Sequence, residues 1–400
     1  MHNKNLRRLS WVAAIAATAG LIGLNPARAG DKTWDFTSPP ADLLISGNND
    51  AVYRDAGGNP GGFLALTYPE NSQSAAIAFP NLDPGKIVTG FTFTCDLRVG
   101  NSTGDRAADG FSISFVRDGD PFLVDVTDGD GTFSDATMGG NCCAETGSKT
   151  GIAVSFDTWS GNTFPTDPND QTDIEGIIVR VDNVTVQKVG LPTRHGSADD
   201  NTSLQTGPRD ATYWANGGDP RAPESWATLA WRPFGIVLTT DGKLTVTWKG
   251  RNILDGYQTT YFPSAGQIVF AGRTGGANEH THVDNIRLTT IAEAVTAIPG
   301  APPNLRVAQV GSRRALLQWD AATVAGDPNA RVAYEVERNG TVLVSQLTTL
   351  SFEDRGLQPG TAYSYKVRAK NIAGLAGPDS TVNANTVQDV PGVAFLKAEQ

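Results

Sequence analysis

Short runs in which every second residue is apolar recur from Asp31 to about Ile291. Phe91, Phe93, Cys95, Leu97 and Val99 alternate with Thr92, Thr94, Asp96 and Arg98. Phe111, Ile113 and Phe115 alternate with Ser112, Ser114 and Val116. A period of two marks a strand with one buried face. Pro233–Thr240 and Lys243–Lys249 flank Asp241-Gly242, a pair suited to a two-residue hairpin turn. Gln267–Arg273 and Val283–Thr290 close the series. Long helical periodicity is absent, so the chain is predicted to be all-β. About 260 residues of such strands exceed an immunoglobulin-sized sandwich and suit a large jelly roll of two stacked sheets.

One stretch, Gly151 to Asn162, organises this region. Ile152, Val154 and Phe156 share one parity and are expected to face the core. Ala153, Ser155 and Asp157 point the other way. With Trp159 and Asn162 after them, they suggest a place for a polar ligand.

Residues 292–302 are rich in Pro and Ala and read as a linker. A smaller unit, 303–388, follows. It holds Trp319 in a strand, a turn at Asn339-Gly340, and the run Leu357-Gln-Pro-Gly-Thr-Ala-Tyr363, after which Tyr365, Val367 and Ala369 alternate. This unit resembles a fibronectin type III domain. The resemblance implies a buried Trp319 and a Tyr363 whose ring is buried and whose hydroxyl bonds nearby backbone. Residues 389–400 are expected to start a further module or to form a frayed tail.

The larger unit, 31–291, resembles the legume-lectin, or concanavalin A-like, superfamily (L-type lectin or laminin-G-like). That family's metal-and-sugar strand usually reads V-E-F-D-T-aromatic-x-N. Here Val154-Ser155-Phe156-Asp157-Thr158-Trp159-Ser160-Gly161-Asn162 lacks the Glu and brings the Asn one residue late. Ala108-Asp109-Gly110 followed by Phe111–Phe115 resembles the family's A-D-G strand start. Phe270 to Ile286 resembles its last loop and final strand. The implied fold is a concanavalin-like sandwich followed by a fibronectin type III sandwich.

The resemblance also implies a site. Asp109 matches the sugar-binding carboxylate, Gly139-Gly140 the glycines whose backbone approaches the ligand (Gly140 being the candidate), and Asn162 the shared amide. Trp159 is the candidate aromatic platform, with Trp214 and Trp226 behind it. Asp157, Asn162 and Asp167 offer hard oxygens for calcium, the one candidate cofactor; Asp157 and Asn162 could equally shape a turn. Ser155 stands at the family's Glu position and Ile174 at its His position, and neither is a transition-metal ligand. Asp125–Gly131 reads as a solvated turn. His280, His282 and Asp284 share one face, a pattern open to zinc, whereas the resemblance places their loop at the rim of the binding face.

Charge and termini narrow the partners. The net charge is −10, with Lys4, Arg7, Arg8 and Arg28 in the first 30 residues leaving the remainder near −14. Such a surface does not attract nucleic acid. Basic residues, an apolar run from Trp11 to Leu24 and Ala27-Arg28-Ala29 read as a secretory signal peptide over 1–29, so the mature chain is expected outside the cell without a membrane span. Cys95, Cys142 and Cys143 leave their pairing open. No E-x-D-x-x-E pair of catalytic carboxylates occurs. The expected function is non-catalytic binding of glycans or polysaccharides at or beyond the cell surface. A glycoside hydrolase of the same fold and a purely structural or adhesive module are the alternatives.

Overall fold

A computed structural model describes residues 30–47, 52–120, 144–159, 174–192, 202–294, 297–325 and 330–389. The large unit is a sandwich of two antiparallel sheets. One runs β13 (Arg251–Gln258), β12 (Lys243–Trp248), β11 (Arg232–Leu238), β6 (Ile87–Gly100), β15 (His280–Glu293), β4 (Phe63–Thr67), β3 (Val52–Arg54), with β1 (Asp31–Trp34) also pairing β15. The other runs β10 (Val184–Gly190), β9 (Gly176–Val181), β8 (Ile152–Asp157), β7 (Gly110–Arg117), β14 (Gly266–Arg273), β5 (Ser74–Ala78), β2 (Leu44–Gly47). The alternating apolar residues of both sheets share one core: Phe91 to Val99 on β6, Phe111 to Phe115 on β7, and Ile152, Val154 and Phe156 on β8. Phe91 stacks on Phe115 at 5.6 Å, and Phe156 meets Phe234 and Trp248 edge-on at 4.9 and 5.3 Å. The hairpin between β11 and β12 closes at Thr239 and Lys243, so its loop is the three residues 240–242 rather than the expected two, with the Gly242 amide donating to the Thr239 carbonyl at 2.9 Å and Gly242 at φ 84°.

The outward face of the seven-stranded sheet differs from expectation. Ala153, Ser155 and Asp157 do point away from the core, but they are buried. Residues 144–148 lie across them. Ser112 Oγ donates to the Ala144 carbonyl at 2.5 Å, Ser155 Oγ to that of Thr146 at 3.1 Å, and the Ser148 amide to Ser114 Oγ at 3.2 Å. Arg180 donates to Ser155 Oγ at 3.1 Å, so a guanidinium sits beside the position where the resembled lectins carry their metal-binding Glu. The polar strand face thus receives the protein's own chain, because its hydroxyls meet that segment's backbone groups.

The eight-stranded sheet is covered likewise. Residues 202–231 bring Trp226 and Leu229 onto Phe63, Ala65 and Tyr68, with Trp231 against them. His280 and His282 are fully buried beneath, not exposed at a rim. All four of their ring nitrogens are engaged: with each other at 3.2 Å, with the Ser225 carbonyl at 3.1 Å, and with Arg98 Nε at 3.1 Å. Burial, and then the Arg98 charge, hold both imidazoles well below their ordinary range. Neutral rings beside a guanidinium with no free nitrogen do not hold zinc. Among the described residues no group of three or more His, Cys, Asp or Glu is arranged to hold a metal. Cys95 is a buried free thiol, and Cys142 and Cys143 lie outside the described residues. So do 1–29, 125–131 and 390–400. No helix among the described residues is long and apolar enough to cross a membrane.

The small unit packs β16 (Arg306–Val310), β17 (Arg314–Gln318) and β20 (Ser351–Arg355) against β19 (Thr341–Leu347), β18 (Val332–Arg338), β21 (Ala362–Asn371) and β22 (Ala376–Asn385). Its core holds Trp319, Tyr334, Val336, Leu357, Tyr365 and Val367. The Gln358 amide donates to Tyr363 Oη at 2.8 Å. The ring of Tyr363 is half-buried rather than buried, with Arg338 over it at 5.6 Å. Tyr363→Phe is expected to lower the stability of this unit by about 1 kcal/mol, the net worth of one such bond. Denaturant titration of the small unit's transition checks this.

Candidate functional site

Asp109 sits where β7 begins. Its amide donates to the Arg273 carbonyl at 3.2 Å, and its own carbonyl accepts from the Thr158 amide at 3.1 Å. The Ala108-Asp109 peptide is cis. These bonds tie the residue to the ends of β14 and β8. Thr158 is one residue from Trp159, the other described member of the expected sugar site. Asp109 is 5% exposed, which departs from the expected solvent-facing carboxylate.

A charged cluster surrounds it. Arg273 Nη2 lies 3.0 Å from Asp109 Oδ2, and Arg273 Nε lies 3.0 Å from Glu145 Oε2. Glu279, also fully buried, accepts from Thr158 Oγ1 at 2.5 Å. Asp109 Oδ2, Glu145 Oε2 and Glu279 Oε2 have no aligned hydrogen-bond donor. Burial raises the Asp109 carboxyl, and Arg273 opposes this. Burial pushes Glu145 up to about 7, with Arg273 opposing and Asp109 adding to the shift. Burial pushes Glu279 up to about 8, against the Thr158 hydrogen bond and with Asp109 adding to it. Asp109 and Glu145 thus share one arginine, and Glu279 lies beside them without it. At neutral pH Glu279 keeps its proton, while Arg273, 3.0 Å from both Asp109 and Glu145, favours the ionised form of each.

Space in front of Asp109 depends on Gly275. A Cβ there would lie 2.6 Å from Asp109 Oδ2, so any larger residue presses on the carboxylate. Gly275 lies against Asp109, while His280 and His282 beyond it are buried beneath Trp226. Trp159 is half-buried, and one face of its indole is taken by Arg106, whose guanidinium lies 3.9 Å from the ring centroid. Arg106 in turn pairs with Glu175 at 2.7 Å. Asp157 is buried, and its Oδ1 accepts from the Trp159 amide at 3.2 Å, the local geometry of a side-chain-capped turn. Gly140, Asn162 and Asp167 lie outside the described residues. Of the expected calcium ligands the described residues therefore contribute one carboxylate and do not by themselves compose a calcium shell.

Trp226 is buried in the aromatic cluster and presents no platform; Trp214 is half-buried on a short surface helix. Sequence reasoning missed Arg273, Glu145 and Glu279. A cavity of about 330 Å³ also opens between the two units, lined by Phe262, Ser264, Ala333, Gln346 and Asn371 among others. Of its charged neighbours, Arg117 and Lys370 pair with Asp182 and Glu335, and Asp118 is exposed at its lining.

Comparison with known proteins gives the following. The fibronectin type III domain model matches residues 300–384, and that segment is such a domain. Chitinase C of Streptomyces lividans is 31% identical over 163 residues, 39% of this chain and 25% of that protein. Endoglucanase B of Cellulomonas fimi is 42% identical over 96 residues, 22% of this chain and 9% of that protein. The chain spans about a quarter or less of the curated relatives it matches. Among solved structures, the Bauhinia forficata lectin in complex with GalNAc has a TM-score of 0.39 at 16% identity, covering 65% of this chain and 98% of its own. The VIP36 exoplasmic/lumenal domain in its Ca2+/Man-bound form has a TM-score of 0.35 at 14% identity, covering 62% of this chain and 82% of its own. Likenesses that distant decide nothing about ligand.

The titration of Glu279 has a measurable consequence. Its folded-state pKa of about 8 is raised, so between the ordinary carboxylate range and about pH 8 the folded chain holds a proton that the unfolded chain has lost. This contribution to stability is complete below that window and is lost as pH rises through it, by up to about 1.4 kcal/mol per pH unit. Glu279→Gln keeps an acceptor for Thr158 and removes the titration. Melts across pH 4 to 9 should show the variant more stable than wild type at pH 8, with a flatter profile.

Proposed function

We propose that this is a non-catalytic carbohydrate-binding protein of the cell exterior. The large sandwich takes the glycan at the loops around Asp109, and the fibronectin type III unit acts as a spacer. The observation that carries this reading is the Asp109 carboxylate, held by Arg273 with one oxygen short of an aligned donor and packed against Gly275, where any side chain would press on it. A carboxylate short of donors suits a pair of sugar hydroxyls, which donate to it. The face of Trp159 opposite Arg106 would meet the sugar's C–H face. The lectin-like motifs in the sequence, on strands of a two-sheet sandwich, support the same reading. So does the company the small domain keeps, since relatives that match the chain are named as chitinases and glucanases. Export rests on the N-terminal segment. Calcium, if bound, would engage Asp157, Asn162 and Asp167 and would brace the loop after Asp157.

A glycan array probed with the full chain, with and without a chelator, tests the reading. Asp109→Asn is expected to reduce binding to the array's best glycan at least about tenfold, since a hydrogen bond to a charged acceptor contributes about 1.5 kcal/mol or more. Reducing-sugar release from the same glycan should stay at background; release above it would favour a hydrolase. Normal binding by Asp109→Asn would move the site elsewhere. The division into 31–291 and 303–388 predicts that each piece, expressed alone, melts cooperatively.

A further inference from the structure

A short helix, α1 (Ala211–Ala215), carries Tyr213 and Trp214 and buries none of its residues. The two rings meet edge to face at 4.9 Å. They are half-buried, so this aromatic surface is not spent on the core. Polar contacts hold the helix instead. Asp210 caps it, accepting from the Tyr213 amide at 2.9 Å, and its own amide donates to Asn101 Oδ1 at 2.7 Å. The same oxygen of Asn101, a fully buried side chain, accepts from Trp214 Nε1 at 3.0 Å and fixes the indole. Tyr213 Oη donates to the Asp219 carbonyl at 2.8 Å. Such an arrangement pre-pays the ordering cost of both rings and leaves their remaining faces to solvent.

The anchor of this pair belongs to the loop that delivers Asp109. Asn101 begins the segment 101–109, and Arg106 within it stacks on Trp159. Thr103, between them, is bonded to Asn278 at 3.0 Å, beside the Gly275 loop that faces Asp109. One segment therefore touches Trp214 at its first residue and Trp159 at Arg106, and closes on the carboxylate of Asp109. We infer that α1 is a second glycan subsite and that the ligand is a polysaccharide chain, one stretch at Asp109 and a later ring across Trp214 and Tyr213. The chemistry favours flat-faced, β-linked pyranoses, whose C–H faces lie on aromatic rings. This deepens the reading proposed above and rests on it.

The test is a chain-length series. Cello- and chito-oligosaccharides of one to six units are titrated into the full chain and into Trp214→Ala, Tyr213→Ala, Trp214→Phe and Asp109→Asn, with melts recorded beside each. For wild type, affinity should rise about tenfold or more from the shortest binding oligomer to the hexamer, in line with stacking on two rings. Trp214→Ala and Tyr213→Ala should each lose most of that gain while the shortest binder is unaffected. Trp214→Phe, which keeps a ring, should retain part of it. Asp109→Asn should weaken every length alike. An affinity that rises with length equally in wild type and both alanine variants overturns the second subsite. So does one that does not rise at all; Asp109→Asn then judges the primary site by itself. Should wild type bind no member of either series, the inference falls, and the glycan array alone decides the broader reading.

Discussion

Gly110 passes so close to β8 that a Cβ on it would lie 2.0 Å from the carbonyl oxygen of Phe156. Its φ of 122° is itself a conformation that suits glycine. That approach sets two things at once. It brings Phe111 onto Phe156 at 4.5 Å, and Phe156 reaches across the core to Phe234 and Trp248 on the other sheet. It also brings the Asp109 carbonyl to the Thr158 amide, which positions the carboxylate. The packing that closes the sandwich and the placement of the candidate site are therefore one constraint. A side chain at 110 would meet backbone, which cannot swing aside as a flexible side-chain end could.

Electrostatics then limits what the site can be. Burying several acids near one another is costly unless some stay protonated or find a cation. Here Arg273 serves both Asp109 and Glu145, and Glu279 resolves its share by holding a proton. The arrangement sets the Asp109 carboxyl between Arg273 and Gly275. The same arginine, like Arg180 beside Ser155, disfavours a metal cation at its own position.

Much of the fold was legible because strand alternation is a local signal. The parities of β6, β7 and β8 matched the shared core, and Asp241-Gly242 marked its hairpin. The corner at Tyr363 was legible in a seven-residue motif. What covers the outer faces was not. Ala153, Ser155 and Asp157 looked like a ligand face, yet the segment 144–148 lies over the strand hydroxyls there, Thr146 accepting from Ser155, a pairing that only the folded chain brings together. His280 and His282 could be placed on one face, but their burial depends on Trp226 more than fifty residues earlier in the chain. Asp109 was found through its A-D-G context. Its partners escaped notice because Arg273 meets Glu145 across 128 positions, and nothing local distinguishes either one. A lone Glu279 before an alternating strand was the one available hint.

Ligand is proposed to engage the loops joined at Asp109. Hydrogen–deuterium exchange of the full chain, with and without the strongest glycan of the array, addresses this most directly. Exchange is expected to slow in 101–110 and 273–279, with the fibronectin type III unit unchanged. Slowing confined to 303–388, with the Asp109 loops exchanging as in the free protein, would contradict it.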